Sequence, residues 1–215
     1  MSAKPIFSLA LIVASLPCLV LAAAKPVYKS PIVTPNTKGH AVAVEANISG
    51  AKKLYLVVTD GGNGFGCDWA DWAEPRIVGS AGEKKLTDLK WKSASSQWGQ
   101  VRVDKNAGGG PLRIAGQEIA YGIGTHANSV IEFDLPTGYT QFKARAGLDN
   151  GGTDQGSCGS ASSVQFAVYT EKPPVILASA AVAAAGGSVH EPENAVANLD
   201  VHEDLEATLF ASEPM

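Results

Sequence analysis

The sequence predicts an all-β protein in which two sheets of short strands pack face to face as a sandwich. Short runs rich in β-branched and aromatic residues recur along the chain, and clusters of Gly, Asp, Asn and Pro separate them. The chain contains 23 glycines, while the apolar period of an amphipathic helix is scarce. A sheet with one apolar face is stable only when a second layer covers that face, so we expect a β-sandwich.

The first 24 residues have the layout of a secretory signal peptide. Lys4 precedes an apolar run from Ile6 to Leu21, and three alanines at 22–24 end it with small residues. The run is short for a membrane span, although an uncleaved N-terminal anchor is the alternative interpretation. We therefore expect cleavage after residue 24, no membrane span in the mature chain, and a secreted, periplasmic or cell-surface location.

The first strands follow residues 25–38, which are polar and punctuated by proline and which we interpret as a leader. Residues 40–46 and 53–59 are rich in β-branched and aromatic side chains, which favours extended chain. The second run ends at a strong turn cluster of Asp, Gly and Asn. Polar and apolar residues alternate over residues 85–91, which predicts a further strand. After a break at 108–111, two short apolar runs restart the chain, at residues 112–114 and 117–120.

Residues 121–129 are the most distinctive segment, a glycine-rich turn with a histidine that leads into a strand over 130–135. Gly122 and Gly124 permit dihedral angles or close approaches that a Cβ atom would forbid. Two further strands, 139–148 and 163–169, carry apolar residues at alternate positions, so each has one apolar face. Residues 149–156, between them, are predicted to form a long polar loop.

The pattern changes after residue 172, where two prolines end the domain. We interpret residues 39–172 as one domain and 173–203 as a linker rich in Ala, Gly and Pro. Residues 204–215 resemble the start of a strand, but a lone strand cannot bury its face or pair its backbone. These last residues are therefore interpreted as the truncated start of a following domain.

Charge and cysteines narrow the class of protein further. The formal net charge is −4 and no basic stripe is present, which argues against nucleic acid as a partner. Outside the signal peptide the cysteines are Cys67 and Cys158. In an exported protein such a pair is expected to form a disulfide, with two free thiols as the alternative. Closing a loop of this length would stabilise the fold by roughly 4–5 kcal/mol.

Several motifs follow one another in a fixed order between residues 42 and 169. They are Asp68, Asp71-Trp72-Ala73, Pro75-Arg76, Leu86-Thr87-Asp88-Leu89, Trp98-Gly99, Gly122-Ile123-Gly124-Thr125-His126-Ala127, Ser129, Phe142-Lys143-Ala144, Gly147-Leu148-Asp149 and Val164-Gln165-Phe166-Ala167-Val168-Tyr169. Together they resemble the NPCBM family of carbohydrate-binding modules. The resemblance implies a jelly-roll β-sandwich of the galactose-binding-like type, which binds sugars through loops at one end, and it suggests a galactose-containing glycan as the partner. We expect no organic cofactor.

A second resemblance concerns the C-terminal residues 205–214. They are similar to the opening of a large propeller domain in exported dehydrogenases and haem proteins of planctomycete-type bacteria. That domain is missing from this chain, so its activity cannot be transferred.

The candidate ligand-binding residues combine aromatic side chains with polar groups that can hydrogen-bond to sugar hydroxyls. An aromatic ring stacks on the apolar C–H face of a sugar, and neighbouring donors and acceptors read its hydroxyls. For the tryptophans the alternative is core packing, to which Trp72 and Trp91 are assigned. For the histidine the alternative is a structural role in the turn. The candidates are Trp69, Trp98, His126, Asn128, Asp149 and Asn150.

Two loops rich in Asp, Asn and Gly offer the hard oxygen ligands that suit Ca²⁺. Asp60, Asn63 and Asp68 are the candidate ligands of a structural calcium ion, and solvated turn carboxylates are the alternative.

No pair of carboxylates stands out as the acid and base of a glycosidase, and one histidine without a nucleophile motif makes no triad. The predicted function is therefore a non-catalytic, exported module that attaches a protein to glycans. The alternative is a structural or protein-interaction β-sandwich, an adaptor for the missing downstream domain.

Overall fold

The computed structural model describes residues 23–174. These residues form two antiparallel β-sheets, and the fold class predicted from the sequence, an all-β sandwich, is confirmed. The predictions made for residues 1–22 and 175–215 lie outside the described residues. Within the described range, no helix is long and apolar enough to cross a membrane.

Thirteen strands and two short helices make up the described part of the chain. The strands are β1 (Tyr28–Val33), β2 (Ala41–Asn47), β3 (Lys53–Thr59), β4 (Trp69–Gly79), β5 (Gly82–Lys85), β6 (Ser93–Ser96), β7 (Arg102–Val103), β8 (Arg113–Ile114), β9 (Gln117–Glu118), β10 (Gly122–His126), β11 (Ser129–Asp134), β12 (Tyr139–Leu148) and β13 (Val164–Tyr169). The helices are α1 (Asn150–Thr153) and α2 (Gly156–Ser160), with 3₁₀ turns at Lys38–His40 and Leu86–Asp88.

The first sheet has the strand order β1-β13-β3-β11-β6, and the second has the order β2-β12-β4-β10-β7, with β5 beside β4. The strands β8 and β9 form a separate hairpin. From β10 to β13 each strand lies in the opposite sheet from the one before it, as do β1 to β4. This alternation between the two sheets is the connectivity of a jelly roll.

The core between the sheets is built from alternate residues of the long strands. Trp72 of β4 is fully buried and meets Phe142 and Phe166 edge-on, at ring-centroid distances of 6.0 and 5.0 Å. The assignment of Trp72 to the core is therefore confirmed. Trp91 is half-buried and packs against the margin of the same cluster.

The prediction of a structureless leader over residues 25–38 was wrong, because β1 pairs with β13 at the edge of the first sheet. Val33 is fully buried and Ser30 nearly so. Pro31 lies where the register between the two strands shifts. An edge strand tolerates a proline at such an irregularity, since the missing N–H need not join the ladder. The partner strand lies more than a hundred residues away, so nothing local marks this segment as a strand.

Three further segments differ from the predictions. Residues 86–88 form a 3₁₀ turn instead of a strand, because this turn places Leu86 in the core. Residues 149–156, predicted as a loop, contain α1 and the start of α2. Residues 122–126 are strand β10 and not a turn. The glycines there serve close approach: a Cβ atom on Gly124 would lie 2.3 Å from the carbonyl oxygen of Lys105.

Candidate functional site

The candidate site lies at one end of the second sheet, on the face turned away from the core. Trp69 at the start of β4 is opposite His126 at the end of β10 in the strand register. Side chains alternate between the two faces of a strand, so Trp69 and His126 share the face opposite to that of the buried Trp72. The sheet therefore sets an indole and an imidazole side by side.

Four rings from three parts of the chain meet here, and we call them the aromatic cluster: Phe65, Trp69, Trp98 and His126. The Trp98 ring lies 4.9 Å from the Trp69 ring and 5.4 Å from the His126 ring, between centroids. Phe65 meets His126 edge-on at 6.0 Å. Trp98 is 47% exposed and Phe65 37% exposed. The cluster thus offers open aromatic surface to a ligand, supported by half-buried Trp69 and buried His126.

Glycines fix the position of the Trp69 ring. A Cβ atom on Gly108 would lie 2.4 Å from the ring, and one on Gly151 would lie 2.6 Å from it. A Cβ atom on Gly152 would lie 3.0 Å from the same indole. Only glycine at these positions lets the backbone of two separate segments come this close to the ring.

His126 is almost fully buried, and its Nδ1 lies 2.5 Å from the carbonyl oxygen of Ala127. Because that carbonyl can only accept, Nδ1 carries the proton and donates, which leaves Nε2 as an acceptor in the neutral ring. Burial lowers the pKa of His126 below its usual value. The imidazole is therefore neutral at physiological pH.

Asn128, which was predicted to hydrogen-bond to sugar hydroxyls, connects two loops of the protein. Its side-chain amide donates to Gln97 Oε1 at 2.9 Å, and its side-chain oxygen accepts from the backbone N–H of Asp60 at 3.0 Å. The Gln97 side chain also accepts the backbone N–H of Asn128, at 3.2 Å. Asn128 therefore positions the loop that carries Trp98.

The prediction that Asp149 contacts the ligand directly does not agree with its burial. Asp149 is fully buried and accepts hydrogen bonds from Asn106 Nδ2 at 2.9 Å, Gly151 N at 2.7 Å and Arg113 N at 2.8 Å. Its bond to Gly151 caps the N-terminus of α1. The carboxylate organises the segments beneath the aromatic cluster.

Asn150 is also buried, which again does not fit a direct ligand contact. Its side-chain oxygen accepts from Gly116 N at 2.8 Å, and its amide donates to Asp154 Oδ1 at 2.9 Å. In both cases the polar, glycine-rich sequence that suggested an open loop is used for internal hydrogen bonds.

The three predicted calcium ligands converge on Ser163. Its backbone N–H donates to Asp68 Oδ1 at 2.8 Å, and its hydroxyl lies 2.6 Å from Asn63 Oδ1 and 3.0 Å from the Asp60 carbonyl oxygen. Asp68 Oδ2 is buried without a partner among the described residues. Burial raises the pKa of Asp68 to about 7, partly offset by the Ser163 N–H.

This donor set fits calcium poorly as it is folded. Calcium takes about six to eight oxygen ligands, whereas the side-chain oxygens of Asp60 and Asn63 already accept protein hydrogen bonds. Within residues 23–174, no group of three or more His, Cys, Asp or Glu side chains is placed to hold a metal ion.

The predicted disulfide is present and lies behind the aromatic cluster. Cys67 and Cys158 are bonded, with their Cα atoms 5.8 Å apart. The bond joins the loop that carries Phe65 to helix α2. The structure therefore favours the bridge over the alternative of two free thiols.

Sequence reasoning missed three residues of this region: Phe65, Gln97 and Asn106. Phe65 had a signal, since it follows a turn cluster and stands between two glycines, and loops lie at the protein surface. Gln97 and Asn106 had none, because their partners are 31 and 43 residues away along the chain.

Comparison with known proteins gives one match. A family model described as the NPCBM/NEW2 domain matches residues 13–78 and 82–202, a range that includes all four residues of the aromatic cluster. No curated protein and no solved structure matched the chain.

Proposed function

Because the chain belongs to the NPCBM/NEW2 domain family of carbohydrate-binding modules, we propose that it is a non-catalytic module that holds a glycan on the aromatic cluster. The observation that carries the proposal is the Trp98 ring, 47% exposed and packed against both Trp69 and His126. A sugar ring has one apolar C–H face that stacks on an indole, and hydroxyls that need both donors and acceptors. The open Trp98 face matches the first of these needs, and His126, which is almost fully buried, supports that ring from the protein side.

The carboxyl groups near the cluster support a binding role over a catalytic one. Asp71 and Asp149 are both fully buried and face protein atoms. A glycosidase needs two carboxyl groups about 5–9 Å apart on either side of the scissile bond, in contact with the substrate. Buried groups beneath the aromatic rings do not meet that requirement.

A glycan-array screen of the full chain and of Trp98→Ala tests this proposal. We expect the wild-type protein to bind a subset of glycans, galactose-containing ones first. Trp98→Ala should lower the affinity at least about tenfold, which corresponds to about 1.4 kcal/mol. Tyr121→Ala is the matched control, because Tyr121 is a half-buried aromatic residue at the opposite end of β10.

If the protein is shown to be folded but binds no glycan on the array, the alternative function is favoured, a protein-interaction adaptor for a downstream domain. Equal binding by the wild type and Trp98→Ala would show that the protein binds carbohydrate but that the aromatic cluster is not part of its binding site.

Calcium stays a prediction, and the same array tests it in the presence of Ca²⁺ and of EDTA. Asp60, Asn63 and Asp68 already hydrogen-bond within the protein, three of those bonds being to Ser163, so a bound ion would have to replace some of these hydrogen bonds. Loss of binding or of thermal stability in EDTA would support a structural ion.

We also propose that the protein is exported from the cytoplasm. A disulfide persists in oxidising compartments, which supports the signal peptide expected over residues 1–24, and N-terminal sequencing of the exported protein tests its cleavage. The similarity of residues 205–214 to the opening of a propeller domain stays a prediction.

A further inference from the structure

Two carboxyl groups are buried next to each other beneath the aromatic cluster. Asp71 lies on β4 opposite Gly147 of β12, and the backbone N–H of Asp149 donates to the Trp69 carbonyl at 3.0 Å. This register makes Asp71 and Asp149 diagonal neighbours on the same face of the second sheet. Neither residue has any exposed surface.

The two carboxyl groups have unequal hydrogen bonding. Asp149 accepts from Asn106, Gly151 and Arg113, which suits an ionised carboxylate. Both oxygens of Asp71 are buried without a donor among the described residues. An ionised carboxylate in that position would be buried unpaired next to a like charge, which is strongly unfavourable. A neutral carboxyl group carries its own donor and needs only an acceptor.

Glycines on both neighbouring strands allow this pair to be sealed from water. Gly124 of β10 and Gly147 of β12 are the register partners of Asp71. A Cβ atom on Gly124 would lie 2.5 Å from the Asn106 Cα, and one on Gly147 would lie 3.1 Å from Ile114. The segment from Asn106 to Ile114 therefore packs directly over Asp71.

We propose that Asp71 carries a proton that it donates to Asp149, and that this shared proton makes Asp71 a positioning residue for the aromatic cluster. Asp71 acts on the aromatic cluster through Asp149. The Asp149 carboxylate accepts hydrogen bonds from Asn106 in the covering segment and from Gly151 in α1. The same two segments supply the glycines, Gly108 and Gly151, that contact the Trp69 ring. Loss of the proton would set two like charges against each other where these segments are joined.

The surroundings of Asp71 support this arrangement. Burial, and the neighbouring Asp149, raise the pKa of Asp71 well above its usual range. No ion pair with Asp71 or Asp149 is formed within residues 23–174. The charged or titratable groups on the chain segments packed around Asp71 are Asp149 before α1, Lys143 and Arg145 of β12, His126 of β10, Arg102 of β7, Arg113 of the covering segment, and Asp104 and Lys105 just before that segment.

Infrared spectroscopy of the full chain tests the proton directly. We expect the C=O stretch of a protonated carboxyl group at pH 7 to be lost in Asp71→Asn and so to remain as a band in the difference spectrum of wild type minus Asp71→Asn. Asp68, whose pKa is about 7, contributes a band of its own at this pH. Asp68→Asn is therefore the matched control: it should lose only that second band and retain the band of Asp71. Neither this measurement nor the next one needs a glycan, so their failure is distinguishable from failure of the proposed function.

Near-ultraviolet circular dichroism of the stacked Trp69 and Trp98 rings, recorded from pH 5 to pH 10, tests the positioning. The wild-type signal should be lost at alkaline pH. Asp71→Asn, whose amide replaces the shared proton as donor, should keep the signal across that range. Asp71→Ala, which lacks the donor, should show the weakened signal already at pH 7. For a galactose-containing glycan bound on the array, the wild-type affinity should fall at least tenfold at alkaline pH and that of Asp71→Asn should not.

Two results would overturn the proposal. One is a wild-type spectrum at pH 7 with no carboxyl band attributable to Asp71, which would mean that Asp71 is ionised. The other is an alkaline change in the Trp69–Trp98 signal that is the same in the wild type and in Asp71→Asn.

Discussion

His126 shows how one residue couples burial to the chemistry of the site. Its Nδ1 is committed to the Ala127 carbonyl, and burial lowers the pKa of the ring. The folded state therefore binds fewer protons at this position than the unfolded state does at pH values below about 6.5. The stabilisation that comes from the neutral ring is present above that pH and is lost as the pH falls.

Acidification tests this linkage. The wild-type protein should lose more thermal stability between pH 7.5 and pH 5 than His126→Gln, whose side chain does not titrate. Each unit by which the pKa is lowered is worth about 1.4 kcal/mol, or roughly 3–6 °C in Tm for a domain of this size. Differential scanning calorimetry of both proteins at the two pH values measures the difference, and parallel losses would contradict the buried neutral ring.

Strand β10 is the element on which the site depends, because it carries His126 and lies between β4 and β7. Its sequence was interpreted as a glycine-rich turn, since glycine is rare inside strands. The structure explains the glycines by backbone packing: the chain at Lys105 and Asn106 crosses β10 so closely that no side chain fits at Gly124. Such a crossing is a tertiary contact and leaves no local pattern in the sequence.

Gly124→Ala should therefore be strongly destabilising. The added Cβ would lie 2.3 Å from the Lys105 carbonyl oxygen and 2.5 Å from the Asn106 Cα, both backbone atoms that cannot rotate away. Overpacking of this kind costs about 1–3 kcal/mol or more. Chemical denaturation measures the loss, with Gly66→Ala as the control, because its Cβ would make an ordinary contact at 3.6 Å with Cys158. Equal stability of the two variants would contradict the close crossing.

At the scale of the whole molecule, the disulfide joins the loop before β4 to α2 across a separation of 91 residues. A bond that closes so long a loop restricts the unfolded chain strongly. It also holds the Phe65 loop beside His126, so the fold and the aromatic cluster depend on the same bond.

Replacement of both cysteines by serine should lower the free energy of unfolding by about 4–5 kcal/mol in the chain-entropy account. The Tm should fall by roughly 8–20 °C, and glycan affinity should fall with it. Calorimetry with and without reductant provides the control, since reductant should affect the wild type but not the Cys67→Ser, Cys158→Ser variant. A wild-type Tm that is insensitive to reductant would show that the bond is absent or makes no contribution.

The sequence by itself determined the all-β class, the bounds of strands such as 53–59 and 139–148, the cysteine pair and the family to which the chain belongs. These properties follow from local alternation, from turn residues and from ordered motifs, all of which can be read along the chain. Only the tertiary structure decided that Trp98 is open while Asp149 and Asn150 are internal, and that residues 28–33 form a strand. Exposure and pairing depend on partners distant in sequence, such as Asn106 for Asp149 and β13 for β1. A polar, glycine-rich segment has the same composition whether its side chains face a ligand or each other.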